Sequence, residues 1–159
     1  MVDSGAKWRK VVSKMFMGEY QHNIDEKNRL IIPSKLRAKL GEQIVITEGL
    51  EKCLFIYSME EWNKITVNLN KLSFTKKNAR IFSRLFISSA TVCEFDRQGR
   101  ILISKNHKDY ASLSKEVLIL GVNERLEIWD KKSYEEFVNC YQDEYENLAE
   151  DLFGSEIDA

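Results

Sequence analysis

The chain lacks nearly every residue pattern on which catalysis, metal binding or covalent cross-linking depends. Cys53, Cys93 and Cys140 are odd in number and widely spaced, and no Cys-x-x-Cys pair occurs. The two histidines, His22 and His107, are far apart in sequence. Neither a zinc site nor a disulfide scaffold is expected, and a reducing cytoplasm suits the chain best. No stretch approaches the roughly 20 apolar residues needed to span a bilayer. The first fourteen residues lack the apolar centre of a signal peptide, so secretion is not expected. Gly-x-Gly-x-x-Gly and Walker-type phosphate loops are missing, and neither histidine has a partner motif for a nucleophile. The acidic C-terminal run lacks the Asp/Asn/Gly register of a calcium loop. A protein without cofactor, metal or catalytic residues is expected.

What remains is an ordinary globular composition. Of 159 residues, 43% are hydrophobic and 31% charged, enough for one domain or two very small ones. Net charge is −1, but the signs are segregated. Lys64, Lys71, Lys76, Lys77, Arg80 and Arg84 occupy a stretch with no acid, and residues 143–159 hold seven acids and no base. Such separation fits a local nucleic-acid surface, a solvated helix face or pairing between subunits.

The most informative feature is a phrase that occurs twice, 71 positions apart. Asp25-Glu26-Lys27-Asn28-Arg29-Leu30-Ile31-Ile32 matches Asp96-Arg97-Gln98-Gly99-Arg100-Ile101-Leu102-Ile103. Tyr20, His22 and Ile24 alternate with polar residues, so Tyr20 to Ile32 reads as a β-hairpin. His22 falls in the inward phase and matches Cys93, which makes it a packing residue rather than a base. Asp25 can accept from amides inside the turn, while Asn28 and Gly99 both tolerate the left-handed region. A type I turn followed by a bulge residue satisfies both copies.

The rest of each copy follows a common order. Pro33 opens a short helix with Leu36 and Leu40, stopped by Gly41, and Ser104 to Tyr110 should be its weaker counterpart. The copies then realign at an offset of 72, so Val45-Ile46-Thr47-Glu48-Gly49 matches Val117-Leu118-Ile119-Leu120-Gly121. Leu54 to Tyr57 likewise matches Leu126 to Trp129, with a glycine-containing turn between the strands of each pair. Ser58-x-x-Glu61 and Ser133-x-x-Glu136 fit capping boxes that start helices. Leu72 to Leu85 reads as a further helix with Ala79, Phe82 and Phe86 inward. Tyr134, Phe137, Val138, Tyr141, Tyr145, Leu148 and Leu152 form a long apolar stripe.

The chain is thus expected to divide into a flexible extension (1–15), a first repeat (16–62), a helical connector (63–85), a second repeat (86–134) and a C-terminal helix with an acidic tail (135–159). One half spans about 45 residues, too few to bury an adequate core alone. The fold class expected is α+β: two tandem pseudo-symmetric hairpin repeats pairing into one barrel with flanking helices.

Both turns are locally cationic, and arginine suits bidentate contacts to phosphate or guanine on a ribbon that can enter the major groove. The same Asp-x-x-x-Arg pairs could equally brace the turns. Asp25-x-x-x-Arg29-Leu-Ile-Ile-Pro33-Ser-Lys-Leu-Arg37 resembles the hairpin signature of the SpoVT-AbrB family of bacterial DNA-binding domains. The doubled motif, Met17-Gly18-Glu19-Tyr20 and Gly49-Leu50 resemble the MraZ proteins within it. That resemblance implies a swapped-hairpin (AbrB-like) barrel and a cytoplasmic, nucleoid-associated repressor of the division and cell-wall gene cluster. It also implies a ring-shaped homo-oligomer on repeated promoter sites in double-stranded DNA. The residues expected at the DNA are Lys27, Arg29, Lys35, Arg37, Arg97, Arg100 and Lys105. The second copy departs at Ser104 and at Asn106-His107, so the first is expected to carry the stronger DNA face. Met1 to Lys14 has no place in the pattern. The alternatives are a protein-interaction module of antitoxin type, using the C-terminal helix, and a barrel enzyme.

Overall fold

The computed structural model describes residues 15–157, so the expected flexible extension, apart from Met15, lies outside the described residues. Eight strands and six α-helices follow one another. β1 (Phe16–Asn23), β2 (Arg29–Ile31), α1 (Ser34–Leu40), β3 (Gln43–Glu48), β4 (Leu54–Ser58) and α2 (Met59–Asn70) come first. After α3 (Lys77–Ser88) come β5 (Thr91–Glu94), β6 (Arg100–Leu102), α4 (Lys105–Tyr110), β7 (Glu116–Asn123), β8 (Arg125–Asp130), α5 (Lys131–Tyr141) and α6 (Tyr145–Ile157). The class is α+β, with an antiparallel six-stranded sheet in the order β1-β7-β8-β4-β3-β5 and a separate β2-β6 ribbon. The sheet is open, with β1 and β5 at its edges, and no closed barrel is found among the described residues.

The halves are interleaved. The first turn closes like a hairpin, with Asp25 N–H donating to Arg29 C=O at 2.9 Å, but its two arms then part. β1 pairs with β7, β5 with β3, and β2 with β6, so each arm finds its partner in the other half. An approximate twofold axis passes between Leu30 and Ile101, which face each other in the ribbon, and between Phe55 and Glu127 in the sheet.

Two apolar layers explain why the strands read as continuous apolar runs. On one sheet face Ile44, Ile46, Leu54, Ile56, Val117, Ile119, Leu126 and Ile128 meet Leu30, Ile32, Ile101 and Ile103 near the ribbon, with Leu36 and Leu40 of α1. On the other, Phe55, Tyr57, Leu118, Leu120 and Trp129 lie under Trp62 of α2, Phe86 of α3 and Phe137 of α5. At the twofold position Phe55 is replaced by buried Glu127, whose carboxylate accepts from Trp129 Nε1 and Arg125 Nε, both at 2.9 Å. Arg125 lies over the Phe55 ring, 4.4 Å from its centroid.

Several expectations need correction. Ile44 pairs with Cys93 as Val117 pairs with His22, so the counterpart of Val117 is Ile44, not Val45. β3 and β7 are therefore offset by 73, and a slip of one residue would exchange the two sheet faces. Gly121 is not in the turn: β7 continues to Asn123, and the tight turn is Asn123-Glu124, with Asn123 at φ 60°. Gly121 instead lies opposite Gly18, and a Cβ there would collide with the Met17 backbone. Ser58 caps α2 as expected, its Oγ accepting from Glu61 N–H at 3.2 Å. α5 starts earlier than expected, because buried Asp130 caps it by accepting from Ser133 N–H at 3.2 Å. The same carboxylate accepts from Ser114 N–H and Oγ–H, tying β7, β8 and α5 together. α3 begins at Lys77, not Leu72. The long C-terminal stripe is broken by a 3-10 turn at Gln142–Glu144, and its distal part stays exposed.

Replacing Gly121 by alanine should force β1 away from β7 and cost about 1–3 kcal/mol, the usual range for overpacking. Thermal unfolding of the Gly121→Ala protein checks it, with Gly154→Ala, where a Cβ meets nothing within 4 Å, as the control.

Candidate nucleic-acid interface

The ribbon brings the two repeated phrases side by side. Arg29 lies across from Leu102 and Ile31 from Arg100, while Leu30 and Ile101 point into the core. Period-2 alternation then puts Arg29, Ile31, Arg100 and Leu102 together on the outer face. Ile31 and Leu102 are 44% and 61% exposed, unusual for aliphatic residues beside two cations.

Each turn is built as its residue types require. Asn28 N–H donates to Asp25 C=O at 3.0 Å, as Gly99 N–H does to Asp96 C=O. Asn28 takes φ 61° and Gly99 φ 77°. Asp25 Oδ1 accepts from Lys27 N–H and Arg29 N–H at 2.9 and 2.8 Å. Asp96 Oδ1 accepts from Gln98 N–H and Arg100 N–H, both at 2.9 Å. The second oxygen of each carboxylate takes Nε of its own arginine, at 2.8 Å for Arg29 and 2.7 Å for Arg100. Arg100 Nη1 also lies 3.7 Å from Asp25 Oδ2, so one aspartate holds both cations in one cluster.

Bracing and recognition are therefore compatible. Each aspartate engages Nε, and among the described residues the terminal nitrogens of Arg29 make no hydrogen bond. A guanidinium fixed through Nε still offers its outer edge for a bidentate contact.

The structure also explains why one turn has asparagine and the other glycine. Arg37 donates Nε–H to Ile32 C=O at 2.9 Å, and its guanidinium lies where a Cβ on Gly99 would be. At the matching place Lys108 Nζ donates to Asn28 Oδ1 at 2.9 Å. A helix of each half thus clamps the turn of the other. Arg37 is engaged in that clamp, and Lys108 is its equivalent.

The remaining expected residues are placed differently. Lys27 and Arg97 are exposed on the two turn tips. Lys35 points to Tyr20, its Nζ 5.1 Å from the ring centroid. Lys105 is exposed at the start of α4. His107 is buried, with Nε2 2.6 Å from Ser89 C=O, in the place where α1 has Leu36. Ile31 and Leu102 escaped the sequence reading because they read as strand-core positions; only the alternation with buried Leu30 and Ile101 reveals them. Among the described residues no group of three or more His, Cys, Asp or Glu side chains is placed to hold a metal ion. None of the described helices is long and apolar enough to cross a membrane.

Fold and site together define a class: a tandem-repeat α+β protein whose halves exchange strands to present one paired-arginine ribbon. A family model described as "MraZ protein, putative antitoxin-like" matches the chain twice, over residues 15–85 and 86–155. The chain belongs to the MraZ family. It is 50% identical over 135 residues to the transcriptional regulator MraZ of Halothermothrix orenii, covering 85% of this chain and 94% of that protein. It is also 50% identical over 143 residues to the transcriptional regulator MraZ of Moorella thermoacetica, covering 90% and 100%. The Thermoanaerobacter sp. protein of the same name is 49% identical over 138 residues, covering 87% and 96%.

Two tests follow from the turns. Amide and guanidinium donors from Arg29 hold the Asp25 carboxyl below its ordinary value of 3.8, and Arg100 does the same for Asp96. A lowered folded value stabilises the fold above the ordinary value and stops doing so as pH falls through the lowered one. Asp25→Asn with Asp96→Asn should therefore flatten the loss of thermal stability below about pH 4. Separately, Gly99→Asn keeps a residue that tolerates positive φ but displaces Arg37. It should cost about 1–3 kcal/mol, largely relieved when combined with Arg37→Ala.

Proposed function

We propose that this protein is a sequence-specific DNA-binding transcriptional regulator, acting as a repressor, that contacts promoter DNA through the β2-β6 ribbon. The observation that carries this reading is the pairing of Arg29 with Arg100 on one exposed face, each oriented through Nε by an aspartate. A two-stranded ribbon fits the major groove, and arginine forks match guanine or phosphate. Lys27 and Arg97 at the turn tips flank the ribbon and supply phosphate contacts, with Lys35 and Lys105 at the ends of that surface. Arg37 serves by holding the second turn. The sheet and ribbon wrap one shared core in the manner of a swapped-hairpin barrel. The relatives' names as transcriptional regulators agree with the reading.

Several chains assemble into a ring that presents many ribbons to repeated promoter sites of the division and cell-wall gene cluster. The exposed apolar residues of α3 and α6 support self-association, because monomers rarely leave so much apolar surface in water. The site of action is then the cytoplasm, at the nucleoid. A second reading, a protein-interaction module of antitoxin type, is favoured by the α6 stripe; stoichiometric copurification of a small unrelated protein would support it.

Arg29→Ala should melt within a few degrees of the parent yet bind DNA from upstream of its own gene at least ~10-fold more weakly. Parental affinity should fall steeply with salt, with a slope of about −0.9 per phosphate neutralised. Unchanged binding by a folded Arg29→Ala protein overturns the assignment.

A further inference from the structure

α3 and α6 carry the same spacing of apolar residues with opposite charge. On α3, Ile81 and Leu85 are exposed, with Lys77 four residues before Ile81 and Arg84 three after. On α6, Leu148 and Leu152 are exposed, with Glu144 four residues before Leu148 and Asp151 three after. Residues three and four apart share a helix face, so each helix shows a two-residue apolar stripe bordered by charges of one sign. The surroundings extend the contrast: residues 64–84 hold six bases and no acid, and residues 143–159 hold seven acids and no base.

The two helices differ in how they are seated. α3 is held by Phe86, which is buried and stacked on Trp62 at 5.5 Å, so its outward face is fixed. No residue of α6 belongs to either apolar layer, although Tyr145, Leu148, Leu152 and Phe153 are all exposed. A helix with an apolar stripe and no core to receive it needs a partner. Its complement in charge and spacing is on this same chain.

We propose that α6 of one copy docks on α3 of a second copy, with Leu148 and Leu152 against Ile81 and Leu85. Glu144 and Asp151 then lie beside Lys77 and Arg84. The stripes supply adhesion, and the charges fix direction and exclude α3–α3 or α6–α6 pairing. Because the two surfaces differ, each chain offers one of each, and successive head-to-tail contacts close into a ring. This rests on the self-association proposed above and names the surfaces that carry it.

Light scattering on the full chain tests it, using Lys77→Glu with Arg84→Glu in one variant and Glu144→Lys with Asp151→Lys in another. Each variant alone should lose assembly by about tenfold or more in concentration and run as a single chain. An equimolar mixture should regain the parental mass, since each altered face then meets its complement. Melting temperatures matching the parent establish that both variants fold. Variants that keep the parental mass, or folded variants whose mixture stays monomeric, overturn the pairing while leaving self-association standing. A monomeric parent removes both.

Discussion

The contact between Leu30 and Ile101 is the constraint on which the rest of the molecule depends. These two fully buried side chains face each other where strands of only three residues cross between the halves. A three-residue strand has little stability of its own. It persists here because its inward residue closes the core beneath the sheet and its ends are tied by the two Asp–Arg turns. Once the crossing is fixed, β1 and β5 are carried to the opposite halves, and the sheet order follows. The arginines become neighbours as a by-product of that crossing.

The turns have a double economy. One carboxylate oxygen of each aspartate organises backbone amides while the other orients a guanidinium. The cations are therefore immobilised before any ligand arrives, and less side-chain entropy is lost on binding. Clamping by Arg37 and Lys108 extends this rigidity across the twofold axis.

What could be read from the sequence was what is decided locally. The Asp25 turn, the left-handed residues Asn28 and Gly99, the Gly41 stop and the Ser58 cap each depend on neighbours within a few positions. The twin halves and the α+β class were legible for the same reason, through repeated phrases. Partnership was not: nothing within Phe16–Asn23 says that it pairs with β7, and the pairing sets the true offset of Ile44 and Val117. Gly121 looked like a turn glycine because its real reason, the Met17 backbone, is about a hundred residues away. Asp130 was missed as a cap because Ser133 offered a more familiar pattern. At the candidate site the arginines were found through charge and turn chemistry. The clamping role of Arg37 and the exposure of Ile31 and Leu102 required the ribbon register.

The interleaving has a consequence for how the molecule is made. When the first half leaves the ribosome, β2 has no partner and the edge of β3 destined for β5 is open. The missing strands follow some 70 residues later, a delay of several seconds at about 5–20 residues per second. During that interval the young chain exposes two strand edges that another unfinished copy could fill equally well. The fold therefore exposes nascent chains to exchange between neighbouring copies until the second half arrives, and the charged turns beside β2 help to keep such early encounters brief.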